Sequence, residues 1–161
     1  MEREILLLGN PKLYEVSAPV EKSELSQLAP VIADLHDTLM AFRKKYNAGR
    51  AIAAPQIGVQ KRILYMCIDK PVVFVNPILE PIGDEKMEVM DDCMSFPKLL
   101  VKVLRDKKCK IQYRDMEWQE REMLLEGSLS ELLQHEYDHL DGILATMRAI
   151  DNRSFFIKQE T

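Results

Sequence analysis

The chain has 161 residues, of which 47% are hydrophobic, and it carries a formal net charge of −4. This length and composition predict one compact domain, residues 1–161, that can bury a hydrophobic core. The acidic balance argues against direct nucleic-acid binding through a basic surface, and no apolar run approaches the length that spans a membrane.

The N-terminal segment lacks the pattern of a secretory signal, because acidic residues stand where such signals are basic and its apolar run is short. The three cysteines have no disulfide-framework spacing, which is typical of proteins in a reducing compartment. We therefore expect a cytoplasmic protein. Cys67 and Cys109 lie within strand-like runs and are interpreted as packing residues rather than metal ligands.

A long helix is predicted from about residue 23 to residue 46. Its apolar residues recur in steps of four and three, which predicts one continuous stripe: Leu28, Ile32, Leu35, Leu39, Phe42 and Tyr46. Pro30 lies inside this span, so the residues before it are interpreted as a separate turn or short helix. His36 lies off the stripe and is expected to be a solvated surface residue.

A run of small residues at 49–59 follows this helix. Small side chains let another backbone approach closely, which suits substrate binding or tight packing, and composition alone favours packing. Strand patterns then follow at residues 63–68, 72–76, 87–90, 101–104, 108–113 and 120–124. Pro71, Pro77 and the turn at residues 81–84 are expected to interrupt them. The tail at residues 151–158 suits either a last helical turn or a docking strand.

His135, Glu136 and His139 form a His-Glu-x-x-His pattern near the end of a predicted helix that stops at Gly142. The two histidines lie one turn apart on one face, so both rings can reach one cation, while Glu136 takes the proton of an activated water. The alternative is a polar helix end with two unrelated histidines. Strands before this helix predict an α+β fold, with antiparallel sheets packed around it and a long N-terminal helix.

A catalytic metal usually takes three protein ligands, so two histidines leave the predicted site one ligand short. Cys93 is the best candidate, because it lies in a polar interruption between strand-like runs where a thiolate can be presented. The alternative is a free cysteine at a strand end. A thiolate beside two imidazoles suits several divalent ions, so ligand type alone does not name the metal.

Three separated stretches together resemble the peptide deformylase family. That family carries Gly-x-Gly-x-Ala-Ala-x-Gln, Glu-Gly-Cys-x-Ser and His-Glu-x-x-Asp-His-Leu, in this order. Related sequences stand here at residues 49–56, 91–95 and 135–140, and the third is complete. Because order, intervals and length agree over nearly the whole chain, the protein is identified as a member of this family, with divergent features.

The resemblance implies a bound divalent metal, commonly ferrous iron in the family, with zinc, nickel or cobalt able to replace it. The implied metal ligands are Cys93, His135 and His139. Glu136 would accept a proton from the attacking water and pass it to the leaving amine. The implied donors to the oxyanion of the formyl carbonyl are Gln56 and the backbone N–H of Met94. The peptide would lie extended beside the strand before Cys93, with its methionine in an apolar pocket.

The substrate-facing positions depart from the family pattern. Ala51 and Asp92 replace glycines, so each adds a side chain where a peptide backbone would approach. Arg50 and Glu131 replace aliphatic residues of the methionine pocket. Because buried charges need partners, we expect an Arg50–Glu131 contact, and the alternative is two exposed rim residues. The residues expected to contact the substrate are Arg50, Ala51, Ile52, Asp92, Glu131 and Leu132.

Three functions fit these observations. The first is a metal-dependent hydrolase that removes the formyl group from N-formylmethionyl nascent peptides, with a transient contact to the ribosome. The second keeps the metal and the hydrolytic residues but acts on a different N-acyl substrate. The third is a non-catalytic metal-binding protein of the same fold. Glu136 and Gln56 argue against the third, because a structural metal site needs no general base.

Overall fold

The computed structural model describes residues 1–159 of the chain. Within them, two antiparallel β-sheets and two α-helices form the predicted α+β arrangement. Short 3-10 turns flank or connect these elements. None of the helices in the described residues is long and apolar enough to cross a membrane.

The long N-terminal helix is α1, Ala29–Tyr46, and a 3-10 turn at Lys22–Gln27 precedes it. Pro30 stands in the first turn of α1, where a backbone N–H has no partner within the helix, so a proline there costs no helical hydrogen bond. The predicted break before Pro30 is therefore confirmed. The apolar stripe is buried at its centre, where Leu35 and Leu39 are fully shielded from solvent.

The strands of the described residues form a larger and a smaller sheet. They are β1 Ala51–Ala53, β2 Ile63–Cys67, β3 Pro71–Pro81, β4 Lys86–Cys93, β5 Phe96–Asp106, β6 Lys108–Arg114, β7 Glu120–Glu126 and β8 Phe155–Ile157. The larger sheet has the order β1-β2-β3-β6-β7, and the smaller sheet has the order β4-β5-β8. Neighbouring strands are antiparallel throughout both sheets of the described chain.

The larger sheet is covered on both faces. In β2, Ile63 and Tyr65 belong to the core cluster that contains α1, whereas Leu64 and Met66 belong to the cluster around α2, Ser128–Leu140. A strand that is buried on both faces has a continuous apolar run instead of an alternating one. This explains why the sequence of β2 shows no polar alternation.

Helix α2 also contacts the smaller sheet. Gln134 accepts a hydrogen bond from the backbone N–H of Asp106 at the end of β5, at 2.9 Å. One turn later, Asp138 accepts a hydrogen bond from Arg105 of the same strand, at 2.8 Å. The helix that carries the His-Glu-x-x-His pattern therefore lies between the two sheets, as predicted.

The prediction that Pro77 interrupts a strand is wrong, since β3 continues through it. The pairing of β3 with β6 shifts register between Val75 and Ile78, so Pro77 lies at a bulge where the ladder does not require its N–H. Asn76 has a left-handed conformation there, with φ 49°, and its side-chain amide bonds both the backbone N–H and the carbonyl of Val20.

The polar interruption predicted around Cys93 is also wrong. Strand β4 extends to Cys93, and Met94 and Ser95 alone form the turn to β5. Asp91 fits within the strand because the buried Arg105 side chain binds its carboxylate in place of water. Cys93 itself is 7% exposed, so the thiol is buried instead of presented on a polar loop.

Two regions that the sequence left open form strands. The run of small residues at 49–59 contains β1 and a 3-10 turn, Ala54–Ile57, and these small side chains are buried in the core. The interpretation of this run as a packing segment is therefore confirmed for residues 52–57. The C-terminal tail contains β8, which pairs with β5 in the smaller sheet.

The prediction that His36 is a solvated surface residue is wrong. Its side chain is partly buried, and Nδ1 lies 2.6 Å from the hydroxyl oxygen of Tyr65. The reason is tertiary, because α1 packs beside β2 and the position off the apolar stripe still faces that strand.

Gly142, which follows α2 with φ 71°, has no room for a side chain, because an added Cβ would clash with the carbonyl oxygen of Tyr14. We expect Gly142→Ala to lower the free energy of unfolding by about 3 kcal/mol, since overpacking adds to left-handed strain. Urea unfolding measures this loss. Gly83→Ala is the matched control, since Gly83 has φ 75° but faces open space. Equal losses in both variants would contradict the role of the Tyr14 contact.

Candidate metal centre and catalytic cleft

Three potential metal ligands converge where α2 meets the turn between β4 and β5. The ligand atoms of Cys93, His135 and His139 all lie within 4.8 Å of one another, and all three residues are buried. The Cys93 Sγ atom lies 3.3 Å from His139 Nε2, and the two imidazole centroids are 5.1 Å apart. The structure thus brings together the two histidines of the helix and the cysteine proposed as third ligand.

Asp91 orients the His135 ring. Its Oδ2 atom lies 3.0 Å from His135 Nδ1, so this nitrogen is assigned as the N–H donor, which leaves Nε2 free to act as a ligand. Burial opposes ionisation of Asp91, but the charges of His135 and Arg105 hold the pKa of this carboxyl below its ordinary value. The carboxylate therefore stays charged and keeps the imidazole in one orientation.

A buried cluster of charged residues connects the smaller sheet to α2. Arg105 of β5 is 3% exposed and donates to Asp91 of β4 at 2.7 Å and to Asp138 of α2 at 2.8 Å. Arg148 donates two further hydrogen bonds to Asp138, at 2.6 and 2.9 Å. Both carboxylates of this cluster, Asp91 and Asp138, thus have a guanidinium partner, as charges in an interior require. The cluster joins the strand that ends in Cys93 to the helix that carries the histidines.

Glu136 lies between the two histidines in sequence and is buried, with 4% of its surface exposed. Its Oε2 atom has no hydrogen-bond partner among residues 1–159. Burial raises the pKa of this carboxyl to about 7, although the charge of His135 opposes the shift. A buried acid of this kind can accept and return a proton near neutral pH, which is the property of a general base.

Gln56 directs its amide nitrogen at Cys93. The Oε1 atom accepts a hydrogen bond from the Ala53 N–H at 2.9 Å, and this contact sets which end of the amide faces the centre. Nε2 donates to Ser95 Oγ at 3.2 Å and lies 3.6 Å from Cys93 Sγ. Met94 is the first residue of the turn between β4 and β5, so its backbone N–H directly follows Cys93 in the chain.

A cleft of about 640 Å³ opens onto this centre, and Cys93, His135 and Glu136 line it. Five of the six residues expected to contact the substrate also line it: Arg50, Ala51, Asp92, Glu131 and Leu132. Ile52 does not, because its side chain is fully buried in the core cluster that contains α1. Neighbouring side chains of a strand point to opposite faces, so Ala51 and Ile52 cannot both face the cleft.

The predicted contact between Arg50 and Glu131 is present. Arg50 Nη2 lies 3.0 Å from Glu131 Oε1, and the two side chains are 42% and 15% exposed. Burial raises the pKa of Glu131, and the hydrogen bond from Arg50 opposes that shift. The alternative of two separate rim residues is therefore wrong. In β4, next to Cys93, Asp92 forms an ion pair with Lys158 at 2.7 Å.

Sequence reasoning assigned no role to Asp91, Ser95, Asp138 or Arg148. The role of Asp91 follows only once β4 is seen to extend to Cys93, because both residues of that strand are then buried against α2. No sequence pattern links Asp138 to Arg148, which lies on a 3-10 turn, Ala145–Arg148, beyond the end of α2. Only the tertiary structure shows this pair.

The donor atoms and their surroundings fit a divalent metal ion. Sulfur and two imidazoles are common ligands of zinc and related ions, and three protein ligands leave the remaining position to water or substrate, as in catalytic sites. The unpartnered carboxylate oxygen of Glu136 is a suitable acceptor for such a water. The site is that of a metal-dependent hydrolase.

Comparison with known proteins identifies the family. A family model of polypeptide deformylases matches residues 2–154. Peptide deformylase 1 of Prochlorococcus marinus strain MIT 9313 is 34% identical, over 95% of this chain and 83% of that protein. The crystal structure of peptide deformylase from Thermotoga maritima has a TM-score of 0.84 and 30% identity, covering 94% of this chain and 99% of that one. A peptide deformylase structure from Legionella pneumophila has a TM-score of 0.84 and 31% identity, and the match covers 96% of this chain and 89% of that one. The chain belongs to the polypeptide deformylase family of enzymes.

Removing the Arg105 guanidinium would leave Asp91 and Asp138 buried with less compensation. We expect Arg105→Met to lower the free energy of unfolding by about 3–5 kcal/mol, the usual effect of removing one partner of a buried ion pair. Urea unfolding of metal-free protein measures it. Arg148→Met is the matched control, since that side chain is 44% exposed and Asp138 keeps Arg105. A loss as large in the control would contradict a special role for Arg105.

Metal affinity tests the proposed ligands directly. We expect Cys93→Ala, His135→Ala and His139→Ala each to weaken Zn²⁺ binding on the order of 100-fold or more, because each removes a ligand. Competition against a chromophoric chelator measures the dissociation constant. Cys67→Ala is the control, since this partly buried cysteine lies outside the cluster, and its affinity should match the parent protein. Unchanged affinity in one of the first three variants would remove that residue from the ligands.

Proposed function

We propose that this enzyme hydrolyses the formamide bond at the N-terminus of formylated peptides, with N-formylmethionyl nascent polypeptides as substrates. The observation that carries the proposal is Glu136, a buried carboxylate with an unpartnered oxygen beside one cysteine and two histidines that converge. The names of the curated relatives support the substrate class, because they are peptide deformylases.

Glu136 acts first as general base and then as general acid. Its carboxylate takes a proton from the attacking water while the water oxygen bonds to the formyl carbon. The proton then passes to the amine nitrogen as the carbon–nitrogen bond breaks, and the products are formate and a free N-terminus. Burial raises the pKa of this carboxyl above its ordinary value, which strengthens it as a base, and the positive charge of a bound ion would oppose that shift.

Gln56 and Met94 stabilise the charge that develops on the formyl oxygen. The Gln56 amide is held by Ala53 and Ser95, so its second Nε2–H, which points to Cys93 Sγ at 3.6 Å, is held at the centre before the substrate binds. The backbone N–H of Met94 is the proposed second donor. Donors that need no reorganisation during the reaction are effective, and removal of one typically lowers the rate by about 10²–10³.

Cys93, His135 and His139 are the proposed ligands of the divalent ion. When bound, such an ion supplies Lewis-acid polarisation of a carbonyl and lowers the pKa of water. Ferrous iron is the proposed ion, and a thiolate with two imidazoles also accommodates zinc, nickel or cobalt. Asp91 fixes the His135 ring, so that Nε2 is the atom available to the ion.

The whole chain, residues 1–161, is proposed to act as one catalytic domain, which the family match over residues 2–154 supports. The cytoplasm is the proposed location, since the three cysteines are free thiols and nascent chains are made there. A nascent substrate also implies a transient contact with the ribosome. The acidic net charge of −4 argues against direct binding of nucleic acid.

Formate release from formyl-Met-Ala-Ser tests the proposed function. With nickel-loaded protein, we expect turnover in the parent enzyme and a decrease of about 10²–10⁴ in Glu136→Gln, which keeps the shape but not the base. Metal content should not change in this variant. Glu126→Gln is the control, because Glu126 is an exposed carboxylate on β7.

Two results would each contradict one part of the proposal, the reaction or the role of Glu136. The absence of formate from metal-loaded parent protein would overturn the deformylase function. Full activity in Glu136→Gln would leave the function in place but remove Glu136 as the base.

A further inference from the structure

The wall of the cleft beside the catalytic residues is charged. Glu131 stands one turn before His135 on α2, so their Cβ atoms are about 5–6 Å apart on the helix surface. Arg50 directly precedes β1 and binds Glu131 at 3.0 Å. Both residues line the cleft together with Cys93 and Glu136. A side chain next to the scissile bond therefore lies within reach of this ion pair.

An apolar side chain is a poor partner for such a wall. It would remove water from the Arg50–Glu131 pair without replacing the lost hydrogen bonds, and desolvating charges in this way is unfavourable. Glu131 already has little contact with solvent, at 15% exposure, so further burial would leave the pair dependent on a single internal contact. The wall thus disfavours a buried methionine relative to a side chain that can form hydrogen bonds.

Arg50 has donors to spare for such hydrogen bonds. A guanidinium carries five N–H donors, and within residues 1–159 the Arg50 side chain uses Nη2 alone, on Glu131. The side chain is 42% exposed, so a substrate group can approach its remaining N–H groups. The hydrogen bond to Glu131 holds the guanidinium in place. The geometry suits an incoming acceptor, such as a carboxylate or a carboxamide.

The remaining charges of the cleft favour the same partner. Lys45 and Lys98 line the cleft, and neither forms an ion pair with a carboxylate of the described chain. Asp92 is paired with Lys158, at 2.7 Å. Among the carboxylates that line the cleft within residues 1–159, Glu136 alone has no ion-pair partner, so the two unpaired lysines outnumber it, which attracts an anionic group and repels a cationic one.

We propose that the first side chain of the substrate binds against the Arg50–Glu131 pair through a hydrogen-bond acceptor, so that formylated peptides beginning with glutamate or glutamine are preferred to those beginning with methionine. This inference rests on the proposed deformylase function and concerns only how the first side chain of the formylated peptide is ranked. Formylmethionyl peptides are still hydrolysed, with a higher KM. The difference falls on KM because the side chain makes the same contacts before and during the reaction.

Peptides of the form formyl-X-Ala-Ser test the proposal, with glutamate, glutamine, methionine, norleucine or lysine at X. Glutamine and methionine have similar lengths, so their comparison isolates hydrogen bonding from size. We expect kcat/KM for glutamate and glutamine to exceed the values for methionine and norleucine by about tenfold or more, mainly through KM. Lysine should be the poorest of the polar residues.

A double variant, Arg50→Leu with Glu131→Leu, should reverse this order by making the wall apolar. We expect about a tenfold gain in kcat/KM for formyl-Met-Ala-Ser and a loss of similar size for the glutamate peptide. The matched control is Glu85→Leu with Lys107→Leu, which removes an ion pair at 3.2 Å that does not line the cleft. This control should keep the substrate order of the parent enzyme.

Methionine at or above glutamine in the parent enzyme would overturn the inference. So would a preference for lysine, which would make Glu131 the recognising group. Calorimetric binding of the unformylated peptides Glu-Ala-Ser, Gln-Ala-Ser and Met-Ala-Ser to the parent protein gives an independent readout. If no peptide releases formate, the proposed function fails, and the order of these binding constants still decides the side-chain preference.

Discussion

Arg105 lies between a carboxylate of β4 and a carboxylate of α2, at 2.7 Å from Asp91 and 2.8 Å from Asp138, and it is 3% exposed. Charges that are this deeply buried need an oppositely charged partner, because an unpaired charge in the interior is destabilising. The contact therefore holds β4 at a fixed position relative to α2. Since Cys93 ends that strand and His135 and His139 belong to that helix, the assembly of the candidate metal centre depends on it.

Different faces of α2 contact the hydrophobic core and the cleft. Leu133 and Leu140 pack into the core against the larger sheet, while His135 and Glu136 line the cleft. Glu131, one turn earlier, forms part of the cleft wall with Arg50. The residues proposed for hydrolysis and those proposed to recognise the substrate side chain are thus adjacent but distinct, which would let selectivity change while the chemistry is kept.

Burial has two effects on Glu136 that act together. It raises the pKa of the carboxyl to about 7, and it leaves Oε2 without a partner among the described residues. A divalent ion at the neighbouring ligands would lower that pKa again through its positive charge. The protonation of Glu136, the proposed general base, would therefore be coupled to metal binding.

Much of the fold was predictable because its signals are local. The period of the apolar residues predicted α1 and α2, and a proline and a glycine marked the start of one and the end of the other. The candidate ligands and the base were also predictable, since the spacing of His135 and His139 and the family motif that contains Cys93 require no knowledge of the fold, although the polar interruption expected around Cys93 was wrong. The Arg50–Glu131 contact was predicted because buried charges need partners.

The sequence by itself determined the helices, the α+β class, the family resemblance and the candidate ligands. Tertiary structure decided that β3 runs through Pro77, that Asp91 is buried in a strand, that His36 meets Tyr65 and that Ile52 faces the core. Local sequence preferences do not predict the bulge in β3 opposite β6, and they do not predict that an arginine of another strand binds Asp91. The reason is that hydrogen bonds from distant segments can offset the cost of a local conformation or of a buried charge, and those segments meet only in the folded chain.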